Sequence, residues 1–231
     1  MITQDFTIAG RGERSIELTA GIIAGWTGRD AAGVQHHIDE LAAIGVAPPS
    51  TVPLFYRVSA ALFSTQAILE TVGATSSGEA EPVLIDDGSE LFLGLGSDHT
   101  DRELEAHSVA LSKQVRGKPM ARDLWALSEV ADHLDEILIR SFVAEAAGGE
   151  WTPYQEGTLA RIRPLAELVE RAPLAGGPGR LTKGAAMMCG TFPVLSGGVR
   201  PAKLFRMEME DAKLGRRIAH TYEMQILPVV S

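Results

Sequence analysis

The sequence predicts a β-rich α+β fold with three or four helices. Short runs of β-branched, aromatic and other apolar residues, such as 3–8, 54–58 and 91–95, alternate with glycine-containing turns, a pattern typical of strands. A clear helical period occurs at residues 31–44, where Val34, Ile38 and Leu41 form one stripe before Gly45. Further strands are predicted at 14–24, 79–85, 137–143, 204–209 and 217–227, and a second amphipathic helix at 159–171.

Composition limits the function classes. With 231 residues, 45% of them hydrophobic, the chain can form one large domain, and we predict an N-terminal strand pair at 1–24 followed by a main domain at 25–231. The net charge of −9 argues against a general nucleic-acid or membrane surface. Cys189 is the single cysteine, so no internal disulfide can form, and neither a signal peptide nor a transmembrane run is evident. We therefore expect a cytoplasmic protein.

The segment 78–98 predicts a metal site. Glu79 and Glu81 are two residues apart and would share one face of a strand. Residues 86–88, Asp-Asp-Gly, predict a hairpin turn centred on Asp87 and Gly88, which would place residue 79 opposite about residue 96 and bring Asp98 back to the first strand. Three carboxylates together would bind Mg²⁺ or Mn²⁺, with Ca²⁺ as a third option, in preference to zinc.

A solvated strand face is the alternative, and for a Glu-x-Glu pair it is the commoner outcome. Three like charges gathered at one end of a hairpin would, however, repel each other without a counter-ion, which favours the metal hypothesis.

Several basic residues, and a His–Glu pair on the first predicted helix, are further candidates for the site. Arg102 lies one turn beyond Asp98, and Gly117 frees the backbone so that Lys118 could fold back over the carboxylates. Arg57 is either a salt-bridge partner or a clamp for a substrate carboxylate. His37 and Glu40 are three residues apart on the first helix and form either a general-base dyad or an ordinary solvated face.

Two shorter patterns predict a helix start and a turn. Thr100 and Glu103 match a capping box, which predicts a helix carrying Leu104, Leu111 and Val115 on one face. The turn Gly190-Thr191 could bind an anion or serve only as a turn.

Order and spacing of these motifs resemble the fumarylacetoacetate hydrolase family. That family has Glu-x-Glu on a strand, then Gly-Asn-Asp-Val-Ser-x-Arg-Asp-Leu-Gln, then Gly-Lys-Ser-Phe-Asp. The corresponding segments here are 79–81, 96–105 and 117–120, and residues 28–40 are similar to the family's lid helix with its His-x-x-Glu pair. The turn at 190–191 resembles the family's Thr-Gly-Thr-Pro loop. Departures include Ser97 for Asn, Glu105 for Gln, and Pro119-Met120 for Ser-Phe.

The resemblance implies a distorted β-roll or sandwich, with 25–231 as the catalytic domain, assembled as a homodimer. Glu79, Glu81 and Asp98 would hold the metal. A small anionic substrate would meet Lys118, Arg102 and Thr191, and His37 with Glu40 would supply the base.

The expected activity is metal-dependent hydrolysis of a C–C bond in an acylpyruvate or a 1,3-dicarbonyl acid. Decarboxylation, isomerisation or dehydration of a 2-oxo acid through an enolate is the alternative, and a non-catalytic binding protein on the same scaffold is a further one. The departures leave the metal triad unchanged, while the pocket that would select the substrate, and hence the substrate itself, are left open.

Overall fold

A computed structural model describes residues 1–43 and 47–230 of the chain. The strands, numbered in chain order, are β1 Ile2–Ile8, β2 Gly12–Leu18, β3 Ala20–Gly25, β4 Leu54–Val58, β5 Phe63–Ser64, β6 Ile68–Val72, β7 Ser76–Ser77, β8 Ala80–Asp86, β9 Leu91–Ser97, β10 Thr100–Asp101, β11 Lys118–Pro119, β12 Asp123–Ala126, β13 Leu138–Ala144, β14 Thr152–Thr158, β15 Ala175–Gly177, β16 Arg180–Leu181, β17 Ala185–Met188, β18 Leu204–Asp211 and β19 Arg216–Leu227. The helices are α1 Ala31–Ala43, α2 Arg102–Glu105, α3 Val109–Gln114, α4 Leu127–Val130 and α5 Leu165–Arg171, with 3₁₀ turns at Ala60–Leu62, Leu134–Glu136 and Leu159–Arg161.

Two sheets dominate the architecture. The larger has the order β2-β1-β12-β9-β8-β17-β3-β4, and the smaller has the order β14-β13-β18-β19-β6. Both contain parallel and antiparallel strand pairs. In the larger sheet, for example, β3 and β17 are parallel, and β8 and β9 are antiparallel. The predicted β-rich α+β class is confirmed, and strands outweigh the helices, two of which are single turns.

Each face of the central hairpin β8–β9 meets its own apolar cluster. Leu84, Leu93 and Leu95 pack in a core that also contains side chains of β13, β18 and β19. Val83, Ile85 and Phe92 pack in a second core with side chains of β1–β4. Because both faces are covered, every residue of β8 and β9 is buried, which explains why this segment is a near-continuous apolar run.

Most predicted strands lie within one or two residues of their expected bounds, but the predicted strand 14–24 is two strands. β2 forms a hairpin with β1, whereas β3 pairs with β4 and β17. β1 also pairs with β12, so the N-terminal strand pair is part of the large sheet. The proposed division of the chain at residue 24 remains a prediction.

Three helix predictions need correction. Thr100 does not cap a helix: it lies in β10, and Asp101 caps α2 by accepting hydrogen bonds from two backbone N–H groups. The expected continuous helix is interrupted before Ser108, which caps α3. In the segment 159–171 only 165–171 is α-helical, because Pro164 has no N–H and disfavours helix in the residue before it.

The first helix is confirmed from Ala31 to Ala43. The predicted end at Ile44 and Gly45 and the side chain of Leu41 lie outside the described residues.

Strands β6, β12 and β14 are not predicted from the sequence. β14 contains Pro153 and lies at a sheet edge, where a missing N–H is tolerated. No helix in the described ranges has the length and apolar character needed to span a bilayer.

Candidate functional site

The hairpin β8–β9 brings the three acidic residues to one place. Glu81 pairs with Gly96, and the Asp98 N–H donates to the Glu79 carbonyl oxygen at 2.9 Å. The predicted register, with residue 79 opposite about 96, is therefore wrong by two residues, because the loop is longer than a two-residue turn. A shift of two leaves every side chain on its predicted face, and Asp98 lies directly opposite Glu79.

The carboxylates of Glu79, Glu81 and Asp98 converge, with one oxygen of each within 4.8 Å of the others. Glu81 and Asp98 are 2% and 0% exposed, and the Glu79 side chain is 15% exposed. Gly96 is the cross-strand partner of Glu81, and a Cβ atom at this position would clash with Met188 and Val83. Such a set of buried oxygen donors fits a hard divalent cation.

The three carboxylates differ in how strongly their surroundings favour the ionised form. Burial and repulsion by Asp98 and Glu79 raise the pKa of Glu81 well above its usual value. Burial also opposes ionisation of Asp98, but attraction to Lys113 and Lys118 outweighs it and holds the pKa of Asp98 at about 2. Glu79, which is attracted to Arg102 and Lys113, likewise keeps a lowered pKa despite its burial. A cation among these groups would favour the ionised form of Glu81.

Three basic side chains surround the carboxylates. Lys118 Nζ lies 2.9 Å from Asp98 Oδ1 and donates to the His99 carbonyl oxygen at 2.7 Å. Arg102 contacts Glu79 at 2.9 Å and also donates to Ser77 Oγ. The structure thus brings together the predicted acidic triad, Lys118 and Arg102.

Lys113 is the third cation and was not predicted. Its Nζ lies 2.5 Å from Asp98 Oδ2 and 3.4 Å from Glu79 Oε2. Leu111 and Val115, which are predicted to form the packed face of this helix, are 52% and 49% exposed. Lys113 projects from the opposite side of α3, which is the side that faces the carboxylates.

Thr191 lies beside the site, and its hydroxyl group forms hydrogen bonds with other groups of the protein. Its Oγ1 donates to the Ala80 carbonyl oxygen at 2.9 Å and accepts from Gln155 Nε2 at 2.8 Å. Gln155 Oε1 in turn accepts the Ala80 N–H at 3.0 Å. The neighbouring Gly190 N–H donates to Glu81 at 2.8 Å. This turn therefore fixes the strand between the two glutamates, and no pattern in the sequence predicts the contribution of Gln155.

The His37–Glu40 pair forms but lies apart from the triad. His37 Nδ1 is 3.6 Å from Glu40 Oε2, and the two side chains are 61% and 59% exposed. His37 packs beside Trp26, with 5.9 Å between ring centroids, and Trp26 Nε1 donates to the Tyr56 hydroxyl at 3.3 Å. In the described ranges, neither member of the pair has a recorded contact with the acidic triad.

Arg57 is not brought to the triad either. Its side chain donates to the Gly21 carbonyl oxygen at 3.3 Å, and the residue is exposed on β4. Tyr56, the preceding residue, is buried, and the charges of Lys113 and Asp98 influence its pKa, which burial chiefly raises. The carboxylate-clamp role of Arg57 stays a prediction without a supporting contact among the described residues.

A buried hydrogen-bonded group lies directly behind Asp98 and had no signal in the sequence. The Tyr222 hydroxyl contacts Ser97 Oγ at 2.9 Å and His99 Nδ1 at 3.1 Å. Burial, reinforced by Lys118 and Arg102, lowers the pKa of His99 to about 3, so this imidazole is neutral near pH 7. Tyr222 is far along the chain on β19 and fixes both neighbours of Asp98.

Comparison with known proteins identifies a family. The family model DUF2848, described as a protein of unknown function, matches residues 24–222, so the chain belongs to this family. A comparison with curated proteins finds no match.

Solved structures share the fold at low sequence identity. A 2-keto-3-deoxy-D-arabinonate dehydratase complexed with magnesium and 2,5-dioxopentanoate is 12% identical with a TM-score of 0.62, over 95% of this chain and 78% of that one. An Escherichia coli protein named as a candidate isomerase is 12% identical with a TM-score of 0.61, over 97% of this chain and 100% of that one. The protein Cg1458 is 11% identical with a TM-score of 0.59, over 94% and 80%.

Proposed function

We propose that this DUF2848 family member is a divalent-metal-dependent enzyme acting on a small 2-oxo acid or 1,3-dicarbonyl acid. The observation that carries the proposal is the convergence of Glu79, Glu81 and Asp98 within 4.8 Å, next to buried cations. The fold is shared with a dehydratase whose structure contains magnesium and a dioxo acid. We infer on the same grounds a distant relationship to the fumarylacetoacetate hydrolase family.

The three carboxylates are the proposed ligands of Mg²⁺ or Mn²⁺. An ion held by these residues would supply polarisation of a substrate carbonyl group and stabilisation of negative charge on its oxygen. The chain's own residues hold the ligands in place: Arg102 fixes Glu79, the Gly190 N–H fixes Glu81, and Lys118 fixes Asp98. Lys118 is also the proposed partner of the negative charge that develops on the substrate, and Arg102 and Thr191 are proposed to contact its anionic groups.

Two reactions fit this arrangement. Hydrolytic C–C cleavage, the reaction predicted from the sequence, requires His37 and Glu40 to deliver a proton acceptor to the site. The packing of His37 on Trp26, which donates to Tyr56, links α1 to a buried residue whose pKa is influenced by the charges of Lys113 and Asp98. Dehydration of a 2-oxo acid does not need that dyad, and it is favoured by the exposed position of the pair and by the dehydratase neighbour.

Metal titration followed by a substrate panel tests the proposal. Calorimetric titration with Mn²⁺ and Mg²⁺ should show one site per chain. The loaded protein should then convert a compound from a panel of acylpyruvates, oxaloacetate and 3-deoxy-2-oxo sugar acids, with products identified by NMR. A protein that binds neither ion would refute the enzyme proposal and leave a binding protein on this scaffold.

His37→Ala separates the two reactions. If the dyad supplies the base for hydrolysis, the variant should lose turnover while its Mn²⁺ affinity is unchanged. Unchanged turnover would exclude the dyad and support dehydration or another enolate reaction. Arg161→Ala, which alters another exposed basic residue outside the site, is a control for general effects on the protein.

Assembly as a homodimer and a cytoplasmic location are further parts of the proposal. Sedimentation equilibrium of the purified chain tests the dimer directly.

A further inference from the structure

The Lys113 ammonium group lies among the proposed metal ligands. Its Nζ is 2.5 Å from Asp98 Oδ2 and 3.4 Å from Glu79 Oε2, and its recorded polar contacts in the described chain are with these two carboxylates. It therefore approaches the oxygens that a divalent ion would need.

The other two cations are anchored by additional partners. Lys118 is 0% exposed and also bonds the His99 carbonyl oxygen. Arg102 also bonds Ser77 and Glu105. Lys113 lacks such an anchor in the part of the chain that the structure describes, and its side chain is 10% exposed. Of the three, Lys113 is the cation that can leave the carboxylates for solvent without breaking other recorded bonds.

Charge balance favours the departure of the Lys113 ammonium group from the carboxylates when a divalent ion binds. Glu79, Glu81 and Asp98 carry three negative charges when ionised, and Lys113, Lys118 and Arg102 carry three positive charges. A divalent ion held by the same oxygens would repel an ammonium group that already contacts two of the three carboxylates.

The backbone beneath Lys113 is held in place. Gln114 Nε2 donates to the Arg57 carbonyl oxygen at 2.8 Å, and Arg116 donates to the Val72 carbonyl oxygen at 2.6 Å. Movement of the ammonium group therefore requires only new side-chain rotamers of Lys113, with α3 staying in place.

We propose that Lys113 is a displaceable internal counter-ion of the metal site. In the metal-free protein its ammonium group neutralises the buried carboxylates, and a divalent ion displaces it toward solvent. Metal binding and the Lys113 contact are thus mutually exclusive. The inference rests on the proposed metal site and adds a means of controlling its occupancy.

Amine labelling of the wild-type protein tests the displacement. Acetylation with and without saturating Mn²⁺, quantified by peptide mass spectrometry, should show about a tenfold or greater increase at Lys113 when the ion is bound, since a solvent-exposed amine reacts faster than a buried ammonium group. Lys118 is a control in the same molecule and should stay protected. Unchanged labelling of Lys113 in a protein shown to bind Mn²⁺ would overturn the inference and leave the enzyme proposal intact.

Lys113→Met tests the competition. Removal of a positive charge from the site should tighten Mn²⁺ binding by about tenfold or more, and it should make the thermal stability of the protein more dependent on Mn²⁺. Lys113→Arg retains the charge and is the matched control. Equal Mn²⁺ affinity of Lys113→Met and wild type would also overturn the inference.

The labelling result separates the two proposals, because a protein that binds Mn²⁺ without exposing Lys113 contradicts only the inference. If only Lys113→Met binds Mn²⁺, the ammonium group is not displaced in the wild type, which overturns the inference and also refutes a metal-dependent wild-type enzyme. If neither protein binds Mn²⁺, both proposals fall.

Discussion

Asp98 connects the proposed ligands with the buried basic residues. One carboxylate oxygen contacts Lys113 and the other contacts Lys118, while its backbone N–H pairs with Glu79. Its side chain is fully buried, so these contacts are poorly screened by solvent. A substitution that removes the charge of Asp98 should therefore weaken metal binding more than one that changes only the shape of the side chain.

Asp98→Asn should weaken Mn²⁺ binding by about 100-fold, because one of three anionic ligands becomes neutral while both lysines keep their charge. Titration calorimetry measures the affinity. Asp123→Asn, at an exposed position on β12, is the control and should bind like the wild type. A wild-type affinity in Asp98→Asn would refute the assignment of this ligand.

Tyr222 acts on Asp98 through Ser97 and His99, the two residues that flank Asp98 in the chain. Tyr222→Phe removes the hydroxyl that contacts Ser97 and His99, and the free energy of unfolding should fall by about 1–2 kcal/mol in urea titration. Mn²⁺ affinity should fall as well, because both neighbours of Asp98 lose a fixed partner.

Tyr154→Phe is the matched control for this variant. It loses one hydrogen bond, which the Arg200 N–H donates to the Tyr154 hydroxyl, and among the described residues this hydroxyl has no recorded bond to Ser97, Asp98 or His99. Its stability should fall, while its Mn²⁺ affinity should stay at the wild-type value. A similar loss of affinity in both variants would mean that Tyr222 acts only through general stability.

At the scale of elements, the hairpin β8–β9 could be predicted from the sequence because its rules are local. Alternation along the strand places Glu79 and Glu81 on one face, and the turn returns Asp98 to the same face. The predicted loop is too short, because Asp87 accepts hydrogen bonds from the backbone N–H groups of Ser89 and Glu90, which extends the turn beyond two residues. The convergence of the carboxylates is unaffected because the error was an even number of residues.

The orientation of α3 could not be predicted in this way. Its exposed Leu111 and Val115 form the regular apolar pair, which normally indicates the packed face. Long-range contacts of Gln114 and Arg116 with Arg57 and Val72 instead turn Lys113 toward the site. No local pattern contains that information, and Gln155 and Tyr222 were missed for the same reason.

The turn of the hairpin gives a test at this scale. Gly88 has a φ of +95° and donates its N–H to Asp86 Oδ1 at 2.8 Å. Gly88→Ala should destabilise the protein by about 1–2 kcal/mol, because a Cβ atom is unfavourable in left-handed backbone. Urea unfolding measures the change. Gly88→Asn should cost less, since asparagine tolerates this region, and an equal loss in both variants would point to a clash with Lys183 instead.

Across the whole molecule, the sequence does not reveal which strands become neighbours. The fold class could be predicted from strand-like runs and turns, and the comparison with solved structures confirms it. The pairing of β1 with β12 and the order of both sheets depend on contacts between distant segments. Local patterns specify strands and their buried faces, but they do not specify which distant strand becomes the neighbour.

His133 forms a contact between distant segments of the chain. Its ionisation predicts that the stability of the protein depends on pH. It lies just before the 3₁₀ turn Leu134–Glu136 and contacts Asp132 at 2.6 Å and Asp211, at the end of β18, at 3.0 Å. Hydrogen bonding to Asp132 is the main effect that raises the pKa of His133, assisted by Asp211 and opposed by desolvation. A histidine with a raised folded pKa stabilises the protein below its unfolded pKa of about 6.5, and this contribution is lost as pH rises through the folded pKa.

Comparison of wild type with His133→Gln between pH 5 and 9 isolates this effect. Other histidines complicate the wild-type curve, because burial lowers the pKa of His99 and His220 and makes their contributions run the opposite way. These terms are common to both proteins and cancel in the difference. The stability advantage of wild type over His133→Gln should therefore be largest near pH 5–6 and decline toward pH 9, as measured by urea unfolding. An advantage independent of pH would show that His133 stabilises the connection as a neutral imidazole.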